Sequence, residues 1–301
     1  MKNNHSKSIL LTGASAGLGA AIARELALRG HQLAIVARRA DSLQSLAEDV
    51  QAVGGEALAL VADLADPETP EFLVSATSDR FGGIDVLINN AAFGLPDYFG
   101  AADPEGLRRQ MTVNLTAPLL LARLALPHLI ESKGVIINIG SAVTRVANPI
   151  FGAYGTTKAA LSYWSDALRR ELRHRGVRVC LVELGPLDTD FFQAVSRLEA
   201  GGVALGVGPP TDAIYNAMRD RPPACLTISA ESAAHQIARL VERPRARVAI
   251  PRRVVWPMRF LGALLGLAPG LADLTISAMI HRVDRERQKE RRDQHFFSSS
   301  C

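Results

Sequence analysis

Short apolar runs alternate with longer amphipathic segments through roughly the first 250 residues. The apolar runs predict seven strands, over Ser8–Thr12, His31–Ala37, Ala57–Ala62, Ile84–Asn89, Gly134–Gly140, Val177–Glu183 and Arg247–Pro251. These runs are continuously apolar, which indicates strands buried on both faces, as in a parallel sheet. The pattern therefore predicts an α/β fold with a doubly wound, mostly parallel, seven-stranded sheet and helices on both faces.

The segments between the strands carry helix signals. Helices are predicted over Gly17–Arg29, after Asp41, after Pro67, over Glu105–Glu131, over Tyr154–Arg175 and over Glu231–Glu242. Gly30 is a typical helix stop. Asp41 and Gln44 are spaced as a capping box, so Asp41 is predicted to cap the second helix.

The chain divides by composition into a main domain, 1–251, and a C-terminal extension, 252–301. Within the domain, 190–230 is rich in Gly and Pro, which suits a substrate lid and equally suits a plain surface loop. The extension is apolar with basic flanks. Its uncharged stretch between Arg259 and Asp273 is shorter than the roughly 18 residues of a membrane span, and Pro269 interrupts it. Two short helices meeting at Pro269 are expected. Residues 252–292 would either contact a membrane surface or pack on the protein's own core or on a second copy.

Composition and charge narrow the class of protein. Of 301 residues, 48% are hydrophobic and 5% aromatic, and the net charge is +4. The positive charge belongs to the tail, since residues 231–301 hold thirteen Lys and Arg against seven Asp and Glu. With so few aromatic residues, no nucleic-acid partner is expected. Three separated cysteines give neither a disulfide framework nor a metal site, and with no signal peptide pattern they favour the cytoplasm.

A glycine-rich segment follows the first strand. It reads Thr12-Gly13-Ala14-Ser15-Ala16-Gly17-Leu18-Gly19. Glycines let the backbone approach a phosphate, and the start of the next helix offers unpaired N–H groups. The alternative is that the glycines serve only close packing of the strand against the helix.

Polar residues follow the next three strands. Arg38 and Arg39 stand where a ribose-binding acid is usual, which favours NADP(H) over NAD(H), unless both simply solvate a loop. Asp63 either accepts a hydrogen bond from an adenine amino group or caps a turn. The amides of Asn89 and Asn90 can tie neighbouring loops together.

Three residues after the fifth strand predict acid–base chemistry. Ser141 follows that strand directly, and Tyr154 and Lys158, four residues apart, share one helix face. A nearby ammonium is expected to lower the pKa of the tyrosine, so that it exchanges a proton with a substrate oxygen that Ser141 holds. An ordinary amphipathic helix is the alternative explanation of the spacing.

Together these motifs resemble the short-chain dehydrogenase/reductase family. The matching elements are the Thr12–Gly19 loop, Asn89-Asn90-Ala91, Asn114, and Ser141 with Tyr154 and Lys158. The resemblance implies a Rossmann-type fold, a nicotinamide cofactor, and assembly as a homodimer or tetramer through the two long helices. It implies that Lys158 binds the nicotinamide ribose, that Asn114 holds a relay water, and that Thr189 meets the carboxamide. It also places Leu64 and Ala91 along the cofactor.

Three positions depart from the family pattern. Ala92 ends the Asn-Asn-Ala-Gly element, Leu184 replaces the proline before Gly185, and Ala16 stands where many NADP(H)-using members carry a basic residue. The NADP(H) prediction therefore rests on Arg38 and Arg39.

The sequence thus predicts an NADP(H)-dependent oxidoreductase that interconverts a carbonyl and an alcohol, with Tyr154 as the general acid and base. The substrate is expected to be a small molecule of apolar or lipid-like character, since the apolar extension would suit a lipid-like substrate at a membrane. Phe93, Leu95, Tyr98 and Phe151 either line an apolar pocket beside the predicted site or are ordinary packing residues. The alternative is a catalytically silent nucleotide-binding scaffold protein on the same fold.

Overall fold

The computed structural model describes residues 6–95, 102–147, 151–188, 225–270 and 273. Its strands are β1 (Ser8–Thr12), β2 (Gln32–Ala37), β3 (Glu56–Val61), β4 (Val86–Asn89), β5 (Val135–Ser141), β6 (Arg178–Leu184), β7 (Leu187–Asp188), β8 (Ile228–Ser229) and β9 (Arg247–Ile250). Its α-helices are α1 (Gly17–Leu28), α2 (Ala40–Ala52), α3 (Thr69–Phe81), α4 (Pro104–Met111), α5 (Ala117–Glu131), α6 (Gly152–Leu172), α7 (Ala230–Glu242) and α8 (Arg252–Leu267).

Seven strands form one sheet in the order β3-β2-β1-β4-β5-β6-β9. Every neighbouring pair is parallel, so the predicted doubly wound sheet is confirmed, with strand ends shifted by at most two residues. A separate pairing of β7 with β8 was not predicted from the sequence, because two-residue strands leave no periodic pattern.

The continuous apolar strands are explained by a core on each face of the sheet. Along β1, Ile9 and Leu11 face one core, which α1, α2 and α7 cover. Leu10 faces the other core, which α3, α5 and the end of α6 cover. All three side chains are fully buried, and each contributes on the order of 1.5–3 kcal/mol. The carboxyl ends of the strands therefore share one edge, where ligands bind in such sheets.

The second helix begins differently from the prediction. α2 starts at Ala40 with Arg39 as its N-cap residue, and no side chain caps it. The predicted role of Asp41 as the cap is wrong, because the helix starts two residues earlier and Asp41 falls inside the first turn. There its carboxylate faces the positive end of the helix dipole.

The C-terminal extension begins as the single helix α8. This helix runs through Pro257 and ends at Leu267, and residues 269, 270 and 273 are again helical. The predicted break beside Pro269 is therefore confirmed. Val255 is buried against the core, whereas Trp256, Phe260, Leu264 and Leu267 are exposed. The rest of the extension lies outside the described residues, and the division at residue 251 stays a prediction.

The helical stretch Pro104–Glu131 is, within the described ranges, the one helix with the length and mean hydropathy of a membrane span. Its apolar face packs on the sheet, with Leu121 and Leu129 fully buried. A core helix of a soluble fold passes the same test of length and composition, so the burial accounts for this hydropathy.

Candidate active site

The carboxyl ends of β1 and β4 are tied together at the centre of the sheet edge. The backbone N–H groups of Asn90 and Ala91 both donate to Thr12 Oγ1, at 3.1 Å. The Asn90 amide donates to the carbonyls of Thr12 and Gly13, at 2.9 and 3.1 Å. The predicted tie between these loops is therefore present, and it fixes where the glycine-rich loop begins.

The glycines of that loop allow very close packing. Gly13 and Gly17 have positive φ angles of 69° and 50°, a region that glycine enters readily. A Cβ at Gly13 would lie 2.7 Å from Ala91 Cα, and a Cβ at Gly19 would lie 2.0 Å from the Gly13 carbonyl oxygen. The packing explanation for the glycines therefore holds for Gly13 and Gly19.

The same packing presents the start of α1 at the sheet edge. Ala16 is the N-cap residue, no side chain caps the helix, and its first turn holds no acidic residue. Ala16 and Gly17 are exposed, and Leu18 is buried behind them. Free N–H groups at an uncapped helix start attract phosphate, so the loop fits the pyrophosphate of a dinucleotide.

Charged side chains surround the neighbouring ends of β2 and β3. Arg39 lies against the glycine-rich loop, with its Nη2 atom 3.0 Å from Ser15 Oγ. Arg38 Nη1 lies 4.0 Å from the Asp63 carboxylate. Arg109 of α4 donates to the same carboxylate, and the backbone N–H of Ala65 donates to it at 3.0 Å.

Asp63 thus both caps a local turn and lies at the predicted adenosine end. Burial alone would raise its pKa, but the Ala65 hydrogen bond and the two guanidinium groups outweigh burial and lower it. Leu64 is buried beside it. The carboxylate therefore stays ionised and is available as an acceptor.

Ser141 and Tyr154 meet at the end of β5. Their side chains form a hydrogen bond, and Ser141 Oγ also accepts from the Val143 backbone N–H, at 3.2 Å. The Tyr154 ring contacts the Phe151 ring edge-on, at 6.2 Å between centroids. A Cβ at Gly94 would lie 3.3 Å from the Tyr154 ring, so the chain after β4 covers the tyrosine.

This enclosure controls the protonation of Tyr154. Burial raises the pKa of Tyr154 to about 12, and the hydrogen bond with Ser141 acts weakly in the opposite direction. The predicted fall in this pKa is therefore wrong for the structure. Lys158 Nζ lies over the face of the tyrosine ring, 5.9 Å from its centroid, and desolvation of the phenol is the larger effect.

Lys158 is itself buried, with 2% of its surface exposed. Its ammonium donates to the Ile139 carbonyl at 2.9 Å. Burial lowers the pKa of Lys158 to about 8, since an apolar environment disfavours the charged form. At neutral pH the site therefore combines a protonated phenol with a mostly charged ammonium.

Asn114 anchors the chain that covers Tyr154. It lies in a π-helical turn, Thr112–Thr116, between α4 and α5. Its amide donates to the Phe93 carbonyl and to Thr157 Oγ1, at 2.7 and 3.2 Å, and its Oδ1 accepts from the Phe93 N–H. Since these bonds use both amide hydrogens, the structure shows a positioning contact, and the relay water stays a prediction.

Two residues of this region were missed by sequence reasoning. Thr157 is buried and donates to the Tyr154 carbonyl at 2.7 Å, which links Asn114 to the tyrosine. Its position directly before Lys158 in the sequence could have indicated that it belongs to the site. Arg109 gave no signal, because only the fold brings α4 to the end of β3. Thr189, Tyr98 and most of 190–230 lie outside the described residues.

A dinucleotide cradle next to a Ser–Tyr–Lys group at one edge of a parallel sheet defines a nicotinamide-dependent oxidoreductase. The comparison with protein families agrees: residues 7–200 match the model described as short chain dehydrogenase. The chain belongs to the short-chain dehydrogenase/reductase family, whose members act on alcohol and carbonyl groups.

Individual relatives extend this comparison. The chain is 36% identical over 220 residues to a fatty acyl-CoA reductase of Mycobacterium tuberculosis, covering 72% of this chain and 74% of the relative. It is 33% identical over 219 residues to a ketoacyl reductase of a Nostoc species, covering 71% and 76%. A short-chain dehydrogenase of Burkholderia cenocepacia, solved in complex with NADP, superposes with a TM-score of 0.68 at 31% identity, covering 81% and 95%.

Proposed function

We propose that this protein reduces a carbonyl group to an alcohol with NADPH, and that Tyr154 donates the proton. The observation that carries the proposal is the hydrogen bond between Ser141 and Tyr154 with Lys158 at the tyrosine ring. Intact chemistry at these three positions gives no support to the silent-scaffold alternative.

The proton donor follows from the environment of the phenol. With a pKa raised to about 12, Tyr154 is protonated at neutral pH and acts as an acid toward the substrate oxygen. Ser141 holds that oxygen by a hydrogen bond. The nicotinamide cofactor, when bound, supplies the hydride.

Lys158 has two roles in the proposal. Its ammonium would hold the nicotinamide ribose, as the family resemblance implies, and its charge would stabilise the phenolate that remains after proton transfer. Asn114 would hold a water that returns a proton to Tyr154, as the family resemblance implies, and its hydrogen bonds with Phe93 fix the adjoining segment.

Thr12–Gly19 would hold the cofactor phosphates, Asn90 and Ala91 would lie along the cofactor, and Thr189 would meet the carboxamide. Arg38 and Arg39 would bind the 2′-phosphate and favour NADP(H) over NAD(H). The contact of Arg39 with the glycine-rich loop at Ser15 supports this preference.

An apolar, lipid-like carbonyl compound is the proposed substrate. Phe151 contacts Tyr154, and Phe93 packs on the adjoining core, so apolar surface adjoins the reacting groups. The names of the two relatives, a fatty acyl-CoA reductase and a ketoacyl reductase, support the same class.

The catalytic domain, 1–251, is proposed to work in the cytoplasm as a homodimer or tetramer, with 190–230 as its substrate lid. The exposed apolar residues of α8 support contact of 252–292 with a membrane surface, where such a substrate would be concentrated.

The decisive experiment replaces Tyr154 with Phe. We expect kcat to fall at least about 100-fold on long-chain aldehydes and ketones, because the proton donor is lost, while NADPH binding followed by fluorescence changes little. Tyr163→Phe is the matched control, since Tyr163 lies on the same helix and is 81% exposed. Full turnover by the Tyr154→Phe enzyme would refute the mechanism. NADPH binding by the wild type without turnover of any carbonyl would favour the scaffold alternative.

A further inference from the structure

A buried carboxylate joins the strand beside the catalytic serine to the C-terminal helix. Glu183 lies near the end of β6 and is 1% exposed. In the register of the sheet it lies opposite Gly140, and the next residue pairs with Ser141. Its side chain accepts hydrogen bonds from Arg145, Arg247 and Arg259.

The three arginines come from different parts of the fold. Arg145 ends the short turn Ala142–Arg145 that follows Ser141. Arg247 begins β9 and lies 2.8 Å from Glu183 Oε1. Arg259 belongs to α8 and directs both Nε, at 2.6 Å, and Nη2 to Glu183 Oε2. One carboxylate therefore connects the catalytic turn, the edge of the sheet and the C-terminal helix.

Glu183 is the one carboxylate that all three arginines share. Guanidinium groups that share one acceptor repel each other, and burial and the neighbouring arginines lower the pKa of both Arg145 and Arg259. Asp166 of α6 pairs with Arg247 from the other side. Glu183 therefore directly compensates the charges of Arg145 and Arg259, and Asp166 adds a weaker attraction to Arg145.

A second contact joins the same helix to the same turn. A Cβ at Gly262 would lie 1.9 Å from the Arg145 carbonyl oxygen, so α8 rests directly on the backbone of the turn. Arg259 and Gly262 are three residues apart and share one helix face. The helix thus holds the turn at its backbone and, through Glu183, at its side chain.

We propose that α8 acts as a latch on the turn Ser141–Arg145, and that Glu183 and Arg259 are positioning residues for the hydroxyl of Ser141. This proposal deepens the proposed carbonyl reduction and rests on it for its catalytic consequence. The C-terminal helix, which lies beyond the catalytic domain in sequence, then controls how the substrate oxygen is oriented.

The first measurement is hydrogen–deuterium exchange over residues 141–147 in the full-length protein. Arg259→Met should raise exchange in this segment several-fold, because the pair with Glu183 is lost. Arg259→Lys should give an intermediate exchange rate, since lysine keeps the charge but cannot donate from two nitrogen atoms as the guanidinium group does. Arg252→Met is the control, because Arg252 is exposed on the same helix.

Gly262→Ala provides a variant that leaves every charge in place. Its methyl group would push the Arg145 backbone away, so it should raise exchange over the same residues. If Arg259→Met fails to fold, Gly262→Ala decides whether α8 holds the turn Ser141–Arg145. Unchanged exchange in folded Arg259→Met or in Gly262→Ala would overturn the latch.

The second measurement is catalytic. With saturating cofactor, a displaced Ser141 should lower kcat roughly tenfold or more and raise the primary isotope effect with cofactor deuterated at C4, while the NADPH Kd stays the same. Raised exchange with unchanged kcat and isotope effect would overturn the positioning role. If the wild type reduces no carbonyl, the proposed function fails, and the exchange data still decide whether α8 holds the turn.

Discussion

Arg39 is the residue on which the cofactor preference can be tested most directly. Its guanidinium lies 3.0 Å from Ser15 Oγ, whereas the neighbouring Arg38 approaches Asp63. Arg39 is therefore better placed than Arg38 to bind an anion at the glycine-rich loop.

We expect Arg39→Asp to weaken NADPH binding about tenfold or more, since hydrogen bonds to charged groups contribute about 1.5–3 kcal/mol, and to weaken NADH binding far less. Titration of each cofactor by fluorescence measures the two Kd values, with the exposed Arg175→Asp as the control. Equal losses for both cofactors would argue against a role in 2′-phosphate recognition. Arg38→Asp should shift the preference in the same direction by a smaller factor.

At the scale of elements, α8 has two unlike faces. One face holds the catalytic turn through Arg259 and Gly262, and the other exposes Phe260 and Leu264. Removing the residues after Pro251 would remove both faces at once, so point substitutions on the exposed face are the cleaner test of the proposed membrane contact.

We expect the full-length protein to float with vesicles that contain phosphatidylglycerol, because its apolar face is flanked by exposed arginines at 252 and 253. The double substitution Phe260→Ser with Leu264→Ser should reduce the floating fraction roughly tenfold or more. Leu28→Ser with Phe72→Ser, at exposed positions on α1 and α3, is the matched control. A protein that stays with the soluble fraction in every case would exclude the membrane proposal.

Some elements were predicted correctly from the sequence and others were not. Continuous apolar runs predicted the strands of the sheet, and turn residues after them predicted Thr12, Asn90 and Ser141 at one edge. The predicted start of α2 was wrong, because Asp41 and Gln44 match a capping box in sequence, whereas the helix begins at Ala40 without a side-chain cap. The pairing of Glu183 with Arg259 had no local signal at all, since tertiary packing alone brings residues so distant in sequence together.

The pair Tyr154 and Lys158 was also only partly predictable from the sequence. The spacing of Tyr154 and Lys158 predicted that they lie close, but the sign of the pKa shift depended on burial by the segment around Gly94. Burial of this kind depends on the complete fold, and the sequence pattern contains no direct measure of it.

For the whole molecule, the buried Lys158 makes stability depend on pH. Its pKa falls from 10.5 to about 8 on folding, so between these values the unfolded chain binds more protons and stability rises with pH. The ammonium therefore costs up to about 3 kcal/mol at pH 7 and less at higher pH.

We expect Lys158→Met to unfold at a higher denaturant concentration than the wild type at pH 7, although it loses activity. The difference in unfolding free energy between Lys158→Met and the wild type should be about 2 kcal/mol smaller at pH 9.5 than at pH 7, because the wild-type lysine loses its proton. Urea unfolding at both pH values measures this free-energy difference. Lys133→Met is the control, because Lys133 is exposed. A difference that is the same at both pH values would mean that Lys158 is not desolvated.

The pairing of β6 with β9 has a consequence for how this protein can diversify. These strands are hydrogen-bonded neighbours, yet the chain between them includes the whole of 185–246. The entropy of closing such a loop grows only with the logarithm of its length, about 0.6 kcal/mol for each doubling. Insertions and exchanges between β7 and β8, outside the core helix α7, therefore leave the sheet and the cofactor edge almost undisturbed, so new substrate ranges can evolve there while the hydride chemistry is inherited unchanged.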